Sequence, residues 1–288
     1  MSFSLVLGGG GVIGVAWETG IATGLLEGGF DPRTADAIVG TSAGAMVGAQ
    51  LASGRMPQAP VAAASGAAEA RPLIDRTTLD IPALGKVFTL WGAMQTSTLE
   101  EVSAIGQIAR VLNRAGEPGW VETISAMISV PQWPEARLLV AVVDTETGAR
   151  RIFDKQSKTQ LGRAVAASSA VPGLFPSVEI DGRLYMDGQV HSSTNADALL
   201  PHTSGTAKRA LVAMPTNALT SQGIGGHAER MLALEVAALR AAGWEVLVRT
   251  PGEQDAKRLG NNLMDAAKAP EAYAVGLETG RAWASELR

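Results

Sequence analysis

The amino-acid sequence predicts an α/β fold in which parallel strands are joined by crossover helices. Short apolar runs typical of buried strands alternate with helical patterns in the first 51 residues, and the alternation resumes at Arg137. Of the 288 residues, 46% are hydrophobic, which is enough to bury a sizeable core. This alternation favours a mainly parallel sheet, because parallel neighbours need a long crossover connection.

The first strand–helix–strand–helix unit occupies residues 3–51. Residues 3–7 form the first predicted strand, and a helical pattern follows the glycines over residues 14–27. A second strand is predicted at 36–39 and a second helix at 43–51. If the two strands are parallel, the loops that follow them lie at the same edge of the sheet.

Residues 55–134 interrupt this order, and we interpret them as a helical insertion within a single domain that covers the chain. Residues 62–70 are rich in alanine, and the apolar segment KVFTLWGAM occupies 86–94. That segment is either an ordinary buried helix or part of an apolar groove or membrane contact. Residues 97–115 are predicted to be helical, with Ser97 and Glu100 forming a capping box.

The remainder returns to strands and helices. A strand at 137–143, an antiparallel partner at 150–153 and a helix at 161–169 come first. Residues 178–186 then read as a hairpin that turns at Asp181-Gly182. The later predicted elements are a strand at 210–214, a helix at 228–242, a strand at 244–249 and one or two helices from about 265 to the end.

Composition and charge exclude several classes of protein. A formal net charge of −4 argues against nucleic-acid binding, which needs a basic surface. The absence of cysteine excludes disulfides and thiolate metal sites. The N-terminus lacks the basic region of a secretory signal, and no apolar run reaches 18 residues. We therefore expect a cytoplasmic protein, with contact at a membrane surface and the oligomeric state both left open.

The segment Gly40-Thr-Ser-Ala-Gly44 fits the G-x-S-x-G pattern of a nucleophile elbow. A sharp strand-to-helix turn there would lift the Ser42 hydroxyl above the sheet, with glycines at the two positions that a side chain would crowd. The helix N-terminus beneath it favours negative charge. The alternative is a glycine-rich turn with an incidental serine.

The four glycines at 8–11 allow three interpretations. Successive glycine N–H groups can form an oxyanion hole, because no side chain obstructs the approach of a substrate. Gly9, Gly11 and Gly14 also satisfy G-x-G-x-x-G, which makes a Rossmann-type nucleotide-binding protein the rival hypothesis. Against that hypothesis, no acidic residue follows the second strand to hold a ribose. Tight strand–helix packing is the third interpretation.

A serine nucleophile needs a base, and the chain offers few candidates. The histidines are His191, His202 and His227, and no motif surrounds any of them. Asp187 has better context, because it ends the second strand of the predicted hairpin. A partly desolvated carboxylate there could accept the serine proton directly.

Three blocks of the sequence resemble the patatin-like phospholipase family. LVLGGGGVIGVAWETGIATGLLEGG is similar to the glycine-rich loop and following helix of that family, and AIVGTSAGAMVGA to its nucleophile elbow. AVAASSAVPGLFPSVEIDGRLYMDGQV resembles the block that carries the catalytic aspartate. The resemblance covers about residues 3–54 and 137–200, and no motif of 55–134 takes part in it.

The resemblance implies a three-layer α/β/α fold with a central, mostly parallel sheet, and a serine acyl hydrolase that cleaves lipid esters. Ser42 would be the nucleophile and Asp187 the base. The N–H groups of Gly9, Gly10 and Gly11 would form the oxyanion hole. This chemistry requires neither a metal nor a cofactor, and its partner is a lipid or other ester substrate.

Two positions depart from the family pattern. Ile13 stands where the family usually has arginine, which weakens the case for an anionic head group at the loop. Gln189 follows Asp187-Gly188, where the family usually has glycine or alanine, and it adds an amide near the base. These departures keep a non-catalytic relative as a further alternative.

Overall fold

The computed structural model describes residues 2–58, 79–112, 114–201, 208–216 and 223–287. The strands are β1 (Ser4–Leu7), β2 (Ala37–Gly40), β3 (Arg137–Asp144), β4 (Arg150–Phe153), β5 (Val178–Ile180), β6 (Arg183–Asp187), β7 (Arg209–Ala213) and β8 (Glu245–Arg249). The helices are α1 (Gly11–Glu27), α2 (Ala43–Ala52), α3 (Ile81–Ala93), α4 (Leu99–Ala109), α5 (Glu117–Ile128), α6 (Leu161–Ser168), α7 (Ile224–Ala241), α8 (Glu253–Leu259) and α9 (Ala269–Glu286).

The strands form one sheet in the order β5-β6-β3-β2-β1-β7-β8, with β4 paired to β3 beside this path. The run β3-β2-β1-β7-β8 is parallel, whereas β4, β5 and β6 pair antiparallel. The strand order reverses at β1, so a crevice opens at the carboxyl edge next to it. The glycine loop at residues 8–11 follows β1 at that point.

Helices cover both faces of the sheet, so the predicted three-layer α/β/α fold is confirmed. Leu5 and Leu7 of β1 face the layer built from α1, α2, α5, α6 and α9. Val6 faces the opposite layer, which contains α7. The alternation follows from the two-residue period of a strand. Strands buried on both faces read as continuous apolar runs, as β1 does.

Several sequence predictions differ from the structure in detail. The capping box of α4 is Thr98 with Glu101, one residue later than predicted, because the Ser97 hydroxyl instead donates to the carbonyl of His191. Helix α4 ends at Ala109, six residues before the predicted end. Helix α1 starts at Gly11 rather than Gly14. The N–H groups of its first turn have no acceptor within the helix, and that of Ile13 donates to Leu263 O instead.

The predictions for the other elements have mixed outcomes. The hairpin turn at Asp181-Gly182 is confirmed, with φ of 51° and 76° at these residues, as a two-residue turn of mirror-image type requires. Helix α7 starts at 224 instead of 228, and no pattern predicted α5 or α8. The alanine-rich stretch at 62–70 and His202 lie outside the described residues.

The 86–94 segment belongs to α3 and its end, and this helix buries one face while the other is exposed. Val87, Trp91 and Met94 pack in a core that includes Val143 of β3 and Met186 of β6. Phe88 points away from that core and is 36% exposed. Among the helices in the described ranges, none is both long enough and apolar enough to cross a lipid bilayer.

Helices α1 and α9 approach each other through glycines. Gly20 and Gly24 of α1 face Gly276 and Gly280 of α9, each spaced by four residues. A Cβ atom at Gly24 would lie 2.4 Å from Leu277 O, and one at Gly276 would lie 2.0 Å from Trp17 O. The contact fixes the position of α1, whose first residue belongs to the glycine loop.

Gly24→Val should therefore destabilise the fold, because the added atoms meet backbone that cannot move aside. We expect the free energy of unfolding to fall by about 1–3 kcal/mol or more, which is the usual cost of overpacking a dense core. Gly85→Ala in α3 is the control, since open space surrounds Gly85 and alanine favours a helix by about 0.5–1 kcal/mol. Thermal unfolding followed by circular dichroism measures both. A Gly24→Val protein as stable as the wild type would contradict the close helix contact.

Candidate active site

Ser42 occupies the turn between β2 and α2, in a backbone conformation that residues other than glycine rarely adopt. Its φ is 53° and its ψ is −116°. The neighbouring glycines make this turn possible: a Cβ at Gly40 would lie 2.6 Å from Ala45 Cα, and one at Gly44 would lie 2.1 Å from Leu7 O. Strained backbone of this kind is found at functional sites and persists only where the surroundings hold it.

Ser168, at the end of α6, is one residue that holds the turn. Its hydroxyl accepts a hydrogen bond of 2.9 Å from the Ser42 backbone N–H and donates one of 2.7 Å to Ala141 O in β3. All three residues are buried. Sequence reasoning missed Ser168, because a serine at the end of a predicted helix gives no sign of a partner 126 residues away.

Asp187 ends β6 and is fully buried. Its backbone pairs with Val142 of β3 across the antiparallel ladder. The carboxylate Oδ1 accepts a 2.8 Å hydrogen bond from Gln189 N. Among the described residues, Oδ2 has no partner that meets standard distance and angle limits. The structure thus leaves one oxygen of this carboxyl group available.

The fold brings the side chains of Ser42 and Asp187 close enough to interact. Burial raises the pKa of Asp187 to about 7, while the Gln189 N–H and the Ser42 side chain partly offset that rise. A pKa near 7 suits a group that accepts and returns protons near neutral pH. The two sequence-predicted residues therefore share one site, although no standard hydrogen bond joins them.

The glycine loop lies beside Ser42, and Gly44 N donates to Gly8 O. Gly9 departs from the prediction that its N–H faces a substrate, because it donates a 2.8 Å hydrogen bond to Ser193 O. The N–H groups of Gly10 and Gly11 have no acceptor among the described residues, and both lie at the start of α1. A helix N-terminus with free N–H groups attracts negative charge.

The loop at residues 188–197 connects the separate parts of the site. Asn195 is fully buried with φ of 50°, a left-handed conformation that asparagine tolerates. Its Nδ2 lies 3.1 Å from Thr41 Oγ1, 3.3 Å from Gly188 O and 2.7 Å from Ser192 O. One amide thereby joins the neighbour of Ser42 to the neighbour of Asp187.

Arg150 orients the Asn195 amide. The guanidinium Nη1 donates to Asn195 Oδ1 at 3.3 Å, and it also pairs with the Asp197 carboxylate. The amide oxygen of Asn195 therefore faces Arg150, and the nitrogen faces the two loops of the site. No local sequence pattern predicted Asn195 or Arg150 as part of this network.

Glu235 of α7 also binds the loop at residues 188–197. Its Oε2 accepts hydrogen bonds from Thr194 Oγ1 and from Ala196 N at 2.9 Å. Burial raises the pKa of Glu235 to about 7. A third buried carboxyl group, Glu18 of α1, has no standard hydrogen-bond partner among the described residues, and burial holds its pKa well above the ordinary value.

Neither described histidine bonds to Ser42 or Asp187. His227 Nε2 contacts His191 O at 3.2 Å, and its Nδ1 is enclosed without a hydrogen-bond partner among the described residues. Burial, with the positive charge of Arg150, lowers the pKa of His191 to about 4. Such a low pKa makes His191 a weak proton acceptor at neutral pH.

A cavity of about 550 Å³ lies between α1, α2 and α5, and its lining includes Met46, four residues after Ser42 in the chain. Val15 of α1, Met46 and Val47 of α2 and Ile128 of α5 line its apolar part. The polar residues Gln50 and Arg55 also belong to the lining. Within the described ranges, no group of three or more His, Asp or Glu side chains could hold a metal ion.

Comparison with known proteins identifies the family. The profile of the patatin-like phospholipase family, described as "Patatin-like phospholipase", matches residues 5–200. The chain belongs to this family. No match was found among curated proteins.

Two solved structures are similar in outline. VipD from Legionella pneumophila is 12% identical with a TM-score of 0.49, and the match covers 99% of this chain and 66% of that one. The type III effector protein ExoU is 17% identical with a TM-score of 0.36, and the match covers 96% of this chain and 53% of that one. The chain thus spans about two thirds and about half of these two proteins.

Asp187→Asn should raise the melting temperature, and by more at pH 8 than at pH 5. The carboxyl group has an ordinary pKa of 3.8 and a folded pKa of about 7. Between these values the folded state retains a proton that the unfolded state releases, so this group destabilises the fold increasingly as the pH rises. The asparagine of Asp187→Asn does not ionise, so it does not destabilise the fold in this way. Asp181→Asn at the exposed hairpin turn is the matched control. Equal gains at both pH values would contradict the raised pKa.

Proposed function

We propose that this protein is a serine acyl hydrolase that cleaves lipid esters, in the manner of a phospholipase A, lysophospholipase or carboxylesterase. The nucleophile is Ser42 and the general base is Asp187. The observation that carries this proposal is the position of a fully buried carboxyl group, with a pKa of about 7, beside a serine in a strained strand-to-helix turn.

The first half of the reaction acylates the serine. Asp187 takes the Ser42 hydroxyl proton as Oγ attacks the ester carbonyl carbon. An Oγ–C bond forms, and the carbonyl π electrons move to the oxygen, which becomes an oxyanion. When the carbonyl re-forms, the bond to the alcohol breaks and Asp187 returns the proton to the leaving alcohol.

The second half repeats these steps with water. Asp187 removes a proton from water, which attacks the acyl-enzyme carbonyl, and the Ser42 oxygen leaves with that proton. The products are the free acid and the regenerated serine. The unpartnered Asp187 Oδ2 supplies an acceptor for each proton transfer.

The oxyanion hole uses the N–H groups of Gly10 and Gly11. Both lack an acceptor among the described residues, and the N-terminus of α1 adds a favourable electrostatic field. Gly9 contributes through its missing side chain, because a Cβ there would lie 2.2 Å from Gln189 Oε1 beside the site. Each aimed donor at an oxyanion typically contributes about 3–4 kcal/mol to transition-state stabilisation.

The cavity beside α2 supports a substrate with an apolar acyl chain. Its lining includes Met46, four residues after Ser42, and its volume is within the usual range of ligand pockets. We propose that the acyl chain enters this cavity while the leaving alcohol stays at the sheet edge. We also propose that the whole chain forms one hydrolase domain and acts at lipid surfaces without spanning them.

Ser42→Ala should abolish labelling by a fluorophosphonate probe, because no other activated hydroxyl is expected in the site. Ser285→Ala, at an exposed position of α9, is the control and should label like the wild type. Labelling is read by gel fluorescence and mass spectrometry of the modified peptide. Undiminished labelling of Ser42→Ala would exclude Ser42 as the nucleophile.

Hydrolysis of a short p-nitrophenyl ester should rise with pH through an apparent pKa of about 7, because only ionised Asp187 accepts the proton. Asp187→Asn should lose between about 100- and 10,000-fold in kcat, the usual contribution of general acid–base catalysis. A pH–rate profile of each protein tests both points. A wild type with neither turnover nor labelling would favour a non-catalytic member of the family.

A further inference from the structure

The proposed oxyanion hole has one backbone N–H donor fewer than the sequence predicts. The Gly9 N–H is committed to Ser193 O at 2.8 Å. Breaking that hydrogen bond would leave a buried carbonyl unpaired, since Ser193 is 1% exposed. The backbone of the loop therefore offers Gly10 and Gly11, and a third donor must come from a side chain.

Gln189 lies against the same loop. A Cβ atom built on Gly9 would be 2.2 Å from Gln189 Oε1, so the amide is in van der Waals contact with the bare Gly9 backbone. The backbone N–H of Gln189 meanwhile donates to Asp187 Oδ1. One residue thus contacts both the glycine loop, through its side chain, and the base, through its main chain.

The Gln189 amide is unusual because the residue is mostly buried, yet its amide has no hydrogen-bond partner among the described residues. The residue is 5% exposed, its amide forms no hydrogen bond with any described residue, and its amide atoms are not among the fully enclosed ones, so the amide keeps access to the site. The Oε1 end rests on a C–H group of Gly9, which does not fix the amide by a hydrogen bond. The two N–H groups of Nε2 are therefore free to turn toward an anionic oxygen.

We propose that Gln189 is a further catalytic residue, whose Nε2 donates a hydrogen bond to the oxyanion formed when Ser42 attacks the ester. This inference rests on the proposed function. A side-chain amide is a known type of oxyanion donor, and its position at Gly9 compensates for the N–H that Ser193 occupies. The absence of a side chain at Gly9 is what makes room for it.

A purely steric role for Gln189 makes the opposite prediction. If the side chain only narrows the entrance, a residue of equal volume without a donor preserves activity, and a smaller residue raises kcat/KM. If the side chain donates to the oxyanion, loss of the donor lowers kcat whatever the volume. Gln189→Met keeps the length and removes the donor, whereas Gln189→Ala removes both.

We expect Gln189→Met to lower kcat for a p-nitrophenyl ester on the order of 100-fold, with little change in KM. Gln189→Glu keeps the shape but offers only acceptors, so it should lose at least as much at pH 9. The pH–rate profile of Gln189→Met should keep its apparent pKa, because the backbone N–H at residue 189 still reaches Asp187. Gln189→Ala should also lose activity.

A trifluoromethyl ketone inhibitor gives a readout specific to the oxyanion. Its carbonyl adds Ser42 Oγ reversibly and leaves a charged oxygen in the position of the reaction oxyanion. Its inhibition constant should rise in Gln189→Met by the same factor by which kcat/KM falls. A side chain that affects only packing would not produce that correspondence.

The outcomes separate the two proposals. Full activity and unchanged inhibitor affinity of Gln189→Met, beside an inactive Ser42→Ala, would overturn the role of Gln189 and leave the serine mechanism intact. Ester hydrolysis by Ser42→Ala at the wild-type rate would overturn the proposed function instead. Melting temperature and fluorophosphonate labelling identify a misfolded variant, in which case Gln189→Glu, with the native shape, decides the question.

Discussion

The hydrogen bonds of the 188–197 loop are the constraint on which the site depends. Asn195 joins the turn of Ser42 to the strand end of Asp187, while Ser193 O receives the Gly9 N–H. These groups are buried, so each hydrogen bond costs the full desolvation of its partner if it is broken. One loop thereby sets the relative positions of Ser42, Asp187 and the glycine loop. Glu235 and Arg150 hold it in turn from two sides.

Burial at this site has an energetic cost as well as a use. Asp187, Glu235 and Glu18 are carboxyl groups removed from water, and none of them pairs with a cation in a described salt bridge. Their charged forms are therefore disfavoured, which lowers stability as the pH rises. For Asp187 the same desolvation makes the carboxylate more basic. A protein can retain such a cost where the function needs a proton acceptor near neutral pH.

The packing of α1 connects the distant C-terminal helix to the glycine loop. Glycines on α1 and α9 let the two backbones nearly touch, so the position of α9 limits where α1 can lie. The first residue of α1 is Gly11, and its amide belongs to the proposed oxyanion hole. Leu263 O, just before α9, accepts the Ile13 N–H and fixes the first turn. A region with no recognisable motif thus contributes to the geometry of the site.

The sequence by itself determined the fold class, the turn around Ser42, the hairpin that ends at Asp187 and most strands, because these depend on local spacing. Glycines at 40 and 44 indicate a crowded turn, and short continuous apolar runs indicate strands buried on both faces. The prediction of Ser97 as the cap of α4 was wrong by one residue, since Ser97 and Thr98 each have a glutamate three residues later. Only the tertiary structure decided that Gly9 gives its N–H to Ser193, that Ser168 and Asn195 hold the Ser42 turn, and that Gln189 contacts Gly9. These contacts join segments far apart in the chain, and local patterns carry no record of which distant atoms will meet.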